Sequence, residues 1–320
     1  MAHHTTLIIG GGQSGLATAY YLLAAGVDVL VLDNGVAPGG AWNHRADSLR
    51  LLSPAEYSSL PGMAMPPIPG QLRPAHIVEY LTNYEGLFDV PVQRPVRVTD
   101  VTHDGTVFHV AADRGDWSAE HVVMATGTWS TPFVADYPGT ILGQFWHSAN
   151  YPGPETFRDT DVAVIGAGNS GAQLVAELSE IADVTWLTRH EPRYLPEEID
   201  GAELHRRLTA GEDLSALGDV VRTPQIARAR AEGRMTTTRP PASLGDLTVN
   251  HFIWATGYKP ALGPARGLLD DELRPTVDGL HLVGYGAITG VGSDTLAGVG
   301  RHAQQTARTI TRAVDKRQRR

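Results

Sequence analysis

Gly10, Gly12 and Gly15 stand between the apolar run Leu7-Ile8-Ile9 and the small-residue stretch Leu16-Ala17-Thr18-Ala19, with Gln13 and Ser14 between the last two glycines. Three glycines at this spacing suit the pyrophosphate of a dinucleotide: the first permits a tight turn, the second lets backbone approach phosphate, and the third packs helix on strand. The phosphate then lies on the helix N-terminus, where unpaired N–H groups and the helix dipole favour an anion. A single turn of this kind also serves as a plain connection. Here it recurs: Gly166, Gly168 and Gly171 follow Val162-Ala163-Val164-Ile165, with Asn169 and Ser170 opening the helix. The sequence therefore carries two dinucleotide sites.

What each site holds can be argued from the end of the next strand, where an acidic residue usually meets the ribose hydroxyls. The first unit ends Val29-Leu30-Val31-Leu32-Asp33, and the equivalent place in the second unit falls on Arg189, after Trp186-Leu187-Thr188. A carboxylate accepts hydrogen bonds from a free ribose, whereas a guanidinium pairs with a phosphate on that ribose. The second site should therefore prefer NADPH over NADH. The alternative is that Arg189 is a solvated surface side chain.

The elements that must position these residues follow in order. Thr5 to Ile9 reads as a buried strand, Leu16 to Ala25 as a helix stopped by Gly26, and Val27 to Leu32 as the next parallel strand. Proline density makes residues 47–70 a long loop, and loops of that length in compact domains are usually functional. Ile77, Tyr80, Leu81, Tyr84 and Leu87 recur at helical spacing over 75–88. Residues 96–102 and 107–111 form a hairpin, and Glu120 to Met124 a strand closed by Ala125-Thr126-Gly127. A second strand, Asn250 to Trp254, closes in Ala255-Thr256-Gly257. Helical runs at 202–208 and 223–233 leave the layout of 190–249 open. Gly279 to Gly284 is a last strand, and Ser293-Asp294-Thr295 opens a helix to about Arg317.

Composition narrows the function. The chain has 320 residues, a length for about two domains, and is 42% hydrophobic, ordinary for a globular protein. Its net charge of −9 argues against nucleic acid or an anionic membrane as the main partner, and the basic run Lys316 to Arg320 reads as a solvated helix end. There is no cysteine, which excludes disulfides, thiolate metal sites and a redox-active Cys pair. The thirteen histidines lack metal-site spacing, so no metal is expected. No secretory signal or membrane-length apolar run is present, making a cytoplasmic location the expectation.

With two fingerprints and two Ala-Thr-Gly closers, the chain resembles the two-dinucleotide-domain flavoproteins, and within them the flavin-containing monooxygenase group. Gly143-Gln144-Phe145-Trp146-His147-Ser148-Ala149-Asn150-Tyr151 matches the Gly, His and Tyr of that group's FxGxxxHxxx(Y/F) signature, with Ile141 in the place of Phe. Tyr151 rather than Trp leans toward heteroatom oxygenases. Gly39-Gly40-Ala41-Trp42, Asp47 to Leu51 and Ser58 to Gly62 resemble a compact bacterial branch associated with metal or arsenic resistance.

The resemblance implies an α/β fold of two Rossmann-like domains, with an NADPH-binding domain (158–257) inserted into an FAD-binding domain (1–157 and 258–320). Gly10, Gly12, Gln13, Ser14, Gly15, Asp33, Gly40, Trp42, Val98, Thr126, Gly127 and Gly284 would hold FAD; Gly166, Gly168, Ser170, Gly171, Thr188 and Arg189 would hold NADPH. It further implies that NADPH reduces the flavin and that O2, activated as the C4a-hydroperoxide, oxygenates a small amine, sulfide or similar nucleophile. Ser53, where larger members carry Asn, and Asn169 are candidates near the reacting ring and NADP; His147 is a candidate better suited to orienting the linker than to acting as a base. The substrate is expected at the cleft between domains near residues 54–70. A homodimer is compatible with the group, but no pattern specifies one. Two other readings stay open: an NADPH-dependent flavin oxidase or reductase without oxygen insertion, and a redox-sensing flavoprotein.

Overall fold

A computed structural model describes residues 2–212, 214 and 216–318. The chain forms two sheets, each built on one of the glycine turns. In the first, β1 (Ala2–Ile9), β2 (Val29–Leu32) and β3 (Val92–Gln93) run parallel, and β4 (Val98–His103), β5 (Phe108–Ala112) and β6 (Gly115–Met124) form an antiparallel meander. The order across the sheet is β3-β2-β1-β6-β5-β4. The ten residues of β6 serve more than one partner. Residues 115–119 pair with β5, and residues 117–124, ending Ile9↔Met124, run parallel to β1. That double pairing is why β1 begins at Ala2 rather than Thr5: Ala2, His3 and His4 lie beside Trp117, Ser118 and Ala119.

The second sheet has the order β10-β9-β8-β11-β7, from β7 (Gln144–His147), β8 (Asp161–Ile165), β9 (Asp183–Leu187), β10 (Thr237–Thr238) and β11 (His251–Trp254), all parallel. Strand β7 joins the second sheet from the N-terminal side of the boundary expected at 157. Residues 144–147, assigned by sequence to the first unit, pair Gln144↔His251 through His147↔Trp254 as an edge strand of the second sheet. The chain then returns, and β12 (Leu280–Leu282) joins the first sheet beside β6.

Helices cover these sheets. α1 (Gln13–Ala24), α2 (Pro74–Leu87) and the last helix α6 (Leu296–Gln318) bury Leu16, Ile77, Tyr84, Val299 and Ile310 in one core with Ile8 and Val31. The opposite face of that sheet packs Phe108, Trp117 and Val122 with Leu262 and Ala265. On the second sheet, α3 (Asn169–Leu178) and α5 (Pro224–Ala231) pack Leu174, Val175 and Ile226 against Val162, Val164 and Trp186. Between them α4 (Gly201–Ala210), capped by the Asp200 carboxylate on the Glu203 N–H, packs near α6 and supplies the layout that sequence left open. The 47–70 loop is ordered by α2: the Tyr80 hydroxyl accepts from Leu60 N–H and donates to Met63 O, and Tyr84 donates to Pro61 O. Of the basic C-terminal run, Arg317 pairs with Glu120, and Arg319 and Arg320 lie outside the described residues. No helix among the described residues is long and apolar enough to cross a membrane.

Two enclosed imidazoles make the first sheet acid-sensitive. His121 and His281, on the paired strands β6 and β12, lie 5.7 Å apart between ring centroids. Burial pushes both below the ordinary histidine value; His281, with His121 beside it, is pushed down to about 4. The unfolded chain therefore binds more protons than the folded one between about pH 6.5 and 4, so stability is present at neutral pH and falls as pH drops through that window. Between pH 7.5 and 5.5 we expect a loss of about 1 kcal/mol from His281, with His121 adding to it in the same direction. Urea unfolding at the two pH values checks this, and His281→Phe should flatten the difference.

Candidate cofactor and active site

The two glycine turns fold alike, and the reason is steric. Gly10 and Gly166 adopt φ of +111° and +131°, and a Cβ on either would sit 2.4 or 2.3 Å from the carbonyl oxygen of Ala125 or Ala255. Gly15 and Gly171 press their helices against the turn so closely that a Cβ would lie 1.9 or 2.1 Å from the oxygen of Gly10 or Gly166. At Gly12 and Gly168 a Cβ would meet no atom within 4 Å. These middle glycines cap α1 and α3 with no side-chain hydrogen bond, so no capping side chain occupies the first N–H groups. An uncapped helix N-terminus at a bare backbone surface fits a phosphate. Both turns thus pass the geometric test for a dinucleotide.

A groove runs from the first turn to the end of β2. Asp33, Val98, Thr126 and Gly40 line its outer part; Gln13, Ser14, Trp42, Gly127 and Gly284 line its inner part. The side chains there hold one another. Gln13 accepts from the Trp42 indole N–H at 3.1 Å and donates to the Asp294 carbonyl at 2.8 Å, tying the loop after β2 to the approach of α6. Thr126 Oγ1 donates to Ala261 O and lies 2.7 Å from the Tyr285 hydroxyl, whose pKa burial pushes up to about 12, so this phenol stays neutral. Gly284 has no room for a side chain because a Cβ would meet Ser14 Oγ at 2.1 Å. Asp33 is buried, and its Oδ2 accepts from Arg94 Nε at 3.1 Å while Arg94 also forks onto Glu85. Arg94 carried no motif, so sequence reasoning missed it. The N-terminus of α6 is capped by Thr295, whose hydroxyl accepts from Gly298 N–H.

In the second unit Thr188 is buried and its N–H donates to Thr238 O, holding the end of β9. Arg189 is exposed, and its guanidinium lies 5.3 Å over the Tyr137 ring with Nε donating to the phenol. Tyr137 was not foreseen; an aromatic in the linker before the second fingerprint was the available signal.

Three candidates are held by protein partners of their own. Ser53 is buried, accepts from the Ser58 hydroxyl at 2.9 Å and lines neither the groove nor the cavity described next, because the loop turns Ser58 back on it. Asn169 spends both ends of its amide on backbone, donating to Asp219 O and accepting from Val221 N–H, and so ties α3 to the segment before α5. His147 is buried at the end of β7 with Nδ1 accepting from Ala149 N–H and its ring edge-on to Tyr258. Burial lowers its pKa, so it is a neutral support for the linker.

Between the two units lies a cavity of about 240 Å3. Trp42, Arg45 and Arg50 come from the first unit, Ser148 and Tyr151 from the linker, and Ser170, Leu174 and Glu177 from α3. The expected cleft is therefore present, but residues 42–50 and Gln71 line it rather than residues 54–70. Trp42 and Arg45 border both this cavity and the first groove. Arg45 Nη1 donates to the Tyr258 hydroxyl at 2.7 Å. Among the described residues no cluster of three or more His, Asp or Glu could hold a metal.

Known proteins agree with this geometry. A flavin-containing monooxygenase from Stenotrophomonas maltophilia is 38% identical to this chain, with a TM-score of 0.88 over 98% of this chain and 100% of the other. The CzcO-like oxidoreductase of Geobacillus kaustophilus is 29% identical over 93% of this chain and 95% of its own length. The rice indole-3-pyruvate monooxygenase YUCCA1 is 32% identical over 203 residues, which are 61% of this chain and 50% of the plant protein. The profile of the pyridine nucleotide-disulphide oxidoreductases matches residues 7–278, although a chain without cysteine has no thiol pair for disulphide chemistry. With both dinucleotide cradles formed, the chain is a flavin-dependent, monooxygenase-like oxidoreductase whose cofactors are FAD and NADPH. It belongs to the pyridine nucleotide-disulphide oxidoreductase family.

Proposed function

We propose that the chain is an NADPH-dependent monooxygenase that oxygenates a small soft nucleophile at nitrogen, sulfur or a similar heteroatom. Residues 158–257, joined by β7, form the NADPH-binding unit, and the remainder of 1–157 with 258–320 the FAD-binding unit. The observation that carries this reading is the shared wall: Trp42 and Arg45 border the first groove and also the cavity that Ser170, at the start of α3, reaches from the second turn. Bound in these places, FAD supplies the redox and oxygen chemistry and NADPH the reducing equivalents.

The chain's own groups orient and shield. The uncapped ends of α1 and α3 receive the pyrophosphates, and Asp33 accepts from a ribose while Arg94 keeps its carboxylate in place. Arg189, held over Tyr137, meets the ribose phosphate of NADPH. Trp42, fixed by Gln13, and the apolar side chains of Leu49, Leu174 and Tyr258 keep water from the space where the substrate would sit. The partial positive charge at the start of α6, close to Asp294 in the groove, favours negative charge there.

One observation favours a second reading. The Ser53 hydroxyl, which the resemblance placed near the reacting ring, is turned into its own loop. An oxidase that passes electrons to oxygen and releases peroxide needs no such donor.

A coupling measurement separates the two. With methyl phenyl sulfide as substrate, sulfoxide should account for most of the NADPH oxidised; peroxide equal to NADPH, with no sulfoxide, would establish the oxidase instead. Coenzyme choice provides an independent check. Arg189→Ala should raise the KM for NADPH about tenfold or more while leaving that for NADH nearly unchanged, as initial rates with each coenzyme will report.

A further inference from the structure

The cavity between the units has an unusual charge pattern for so acidic a chain. Arg45 and Arg50 both line it, and neither is paired with a carboxylate of the described residues. Arg50 directs one nitrogen at three carbonyls of its own loop, those of Asp47, Ser48 and Leu49, at 2.8 to 3.0 Å. Arg45 uses one nitrogen on the Tyr258 hydroxyl and lies 5.3 Å over that ring. Hydrogen bonds to carbonyls and phenols fix a guanidinium without cancelling its charge, so both keep theirs for a ligand. The one carboxylate on the wall, Glu177, is turned to the linker, where its Oε2 accepts from the Tyr151 phenol at 2.8 Å.

The phosphates of the cofactors have partners elsewhere. Each pyrophosphate has an uncapped helix end, and the ribose phosphate of NADPH has Arg189. Arg45 is thus left at the boundary between the flavin groove and the cavity, with Trp42, Leu49 and Leu174 providing apolar and aromatic surface beside it. Such a site, apolar with a few fixed polar groups, orients a small ligand by its single charged end.

We propose that this cavity is the substrate site and that Arg45, with Arg50, selects organic acids: sulfides that carry a carboxylate on an apolar or aromatic body. The proposal rests on the monooxygenase reading. In the balanced reaction O2, NADPH and one proton convert the sulfide to its sulfoxide, NADP+ and water. Sulfur gives up two electrons and gains one oxygen atom, and the second oxygen leaves as water. The carboxylate takes no part; Arg45 holds it, and like charge keeps it from Glu177.

The test compares 4-(methylthio)benzoate with methyl phenyl sulfide on the FAD-loaded enzyme, measuring Kd from the perturbed flavin absorbance and kcat/KM from sulfoxide formed. The acid should bind and react at least about tenfold better, as expected of a charge-assisted pair. Arg45→Met should bring that preference to within about twofold, and Arg45→Lys should keep part of it. Should the methionine variant misfold, competition by benzoate against benzamide in the unaltered enzyme carries the same contrast. Equal binding of acid and neutral sulfide overturns the proposal. So does an Arg45→Met variant that loses FAD or NADPH affinity while keeping the preference, since the guanidinium would then serve a cofactor. If the acid binds better but only peroxide forms, the monooxygenase reading fails while acid recognition stands.

Discussion

The contact on which the rest depends is backbone on backbone. At Gly15 and at Gly171 a helix is pressed so close to the preceding turn that its α-carbon hydrogen occupies the only space left beside a carbonyl oxygen. That approach aims the helix axis at the end of the sheet and leaves the first helical N–H groups without side-chain caps. Donors left without side-chain caps on an open groove are ready to bond an anion, so the turn is built to receive one. Everything else in the groove follows the same edge. Asp33 follows β2, Thr126 follows β6, and Arg189 follows β9, because parallel strands all finish on one side.

The relation between the two units depends on a second constraint, the pair of crossings that joins them. The chain leaves the first unit near Thr131 to Phe133 and returns through Gly257 to Lys259, and the two passages are zipped by Phe133 N–H to Gly257 O and Lys259 N–H to Thr131 O. Tyr258 sits in the middle of the return passage, where it meets Arg45 from the first unit and the edge of the His147 ring from the linker. The cavity is therefore bordered by the same side chains that fix how the units meet. This arrangement explains why a histidine of the signature stretch is buried and neutral rather than poised to take a proton.

How much of this was legible in the sequence depended on how local the physical demand was. The glycine turns were readable because turn sterics act within a few residues, and an acid or an arginine at the end of a strand could be placed from its spacing to the turn. The Ala-Thr-Gly closers were readable for the same reason. Strand β7 was not, because its four residues are defined by pairing with His251–Trp254, far along the chain. The partners of Ser53 and Asn169 could not be read, because a polar side chain goes where its partners are. Ser53 has its partner in Ser58, and Asn169 has its two in Asp219 and Val221, contacts that no local pattern announces. Tyr137 and Arg94 were missed for the complementary reason: each acts on a motif residue from a segment that carries no motif.

The electrostatics show how an acidic chain can recognise anions. A net charge of −9 spread over the surface disfavours anionic ligands at long range, but that field is screened within about 8–10 Å at ordinary salt, so the local set of charges decides what binds. Arg94, which has to hold a carboxylate still, is neutralised by Asp33 and Glu85. Arg45, Arg50 and Arg189 are oriented instead by a phenol, by carbonyls and by an aromatic face. The first arrangement spends the charge on structure, whereas the second fixes the geometry and leaves the charge free. Arg45 and Arg50 line the cavity and Arg189 follows β9, and at both places the fold leaves room for a ligand that carries negative charge.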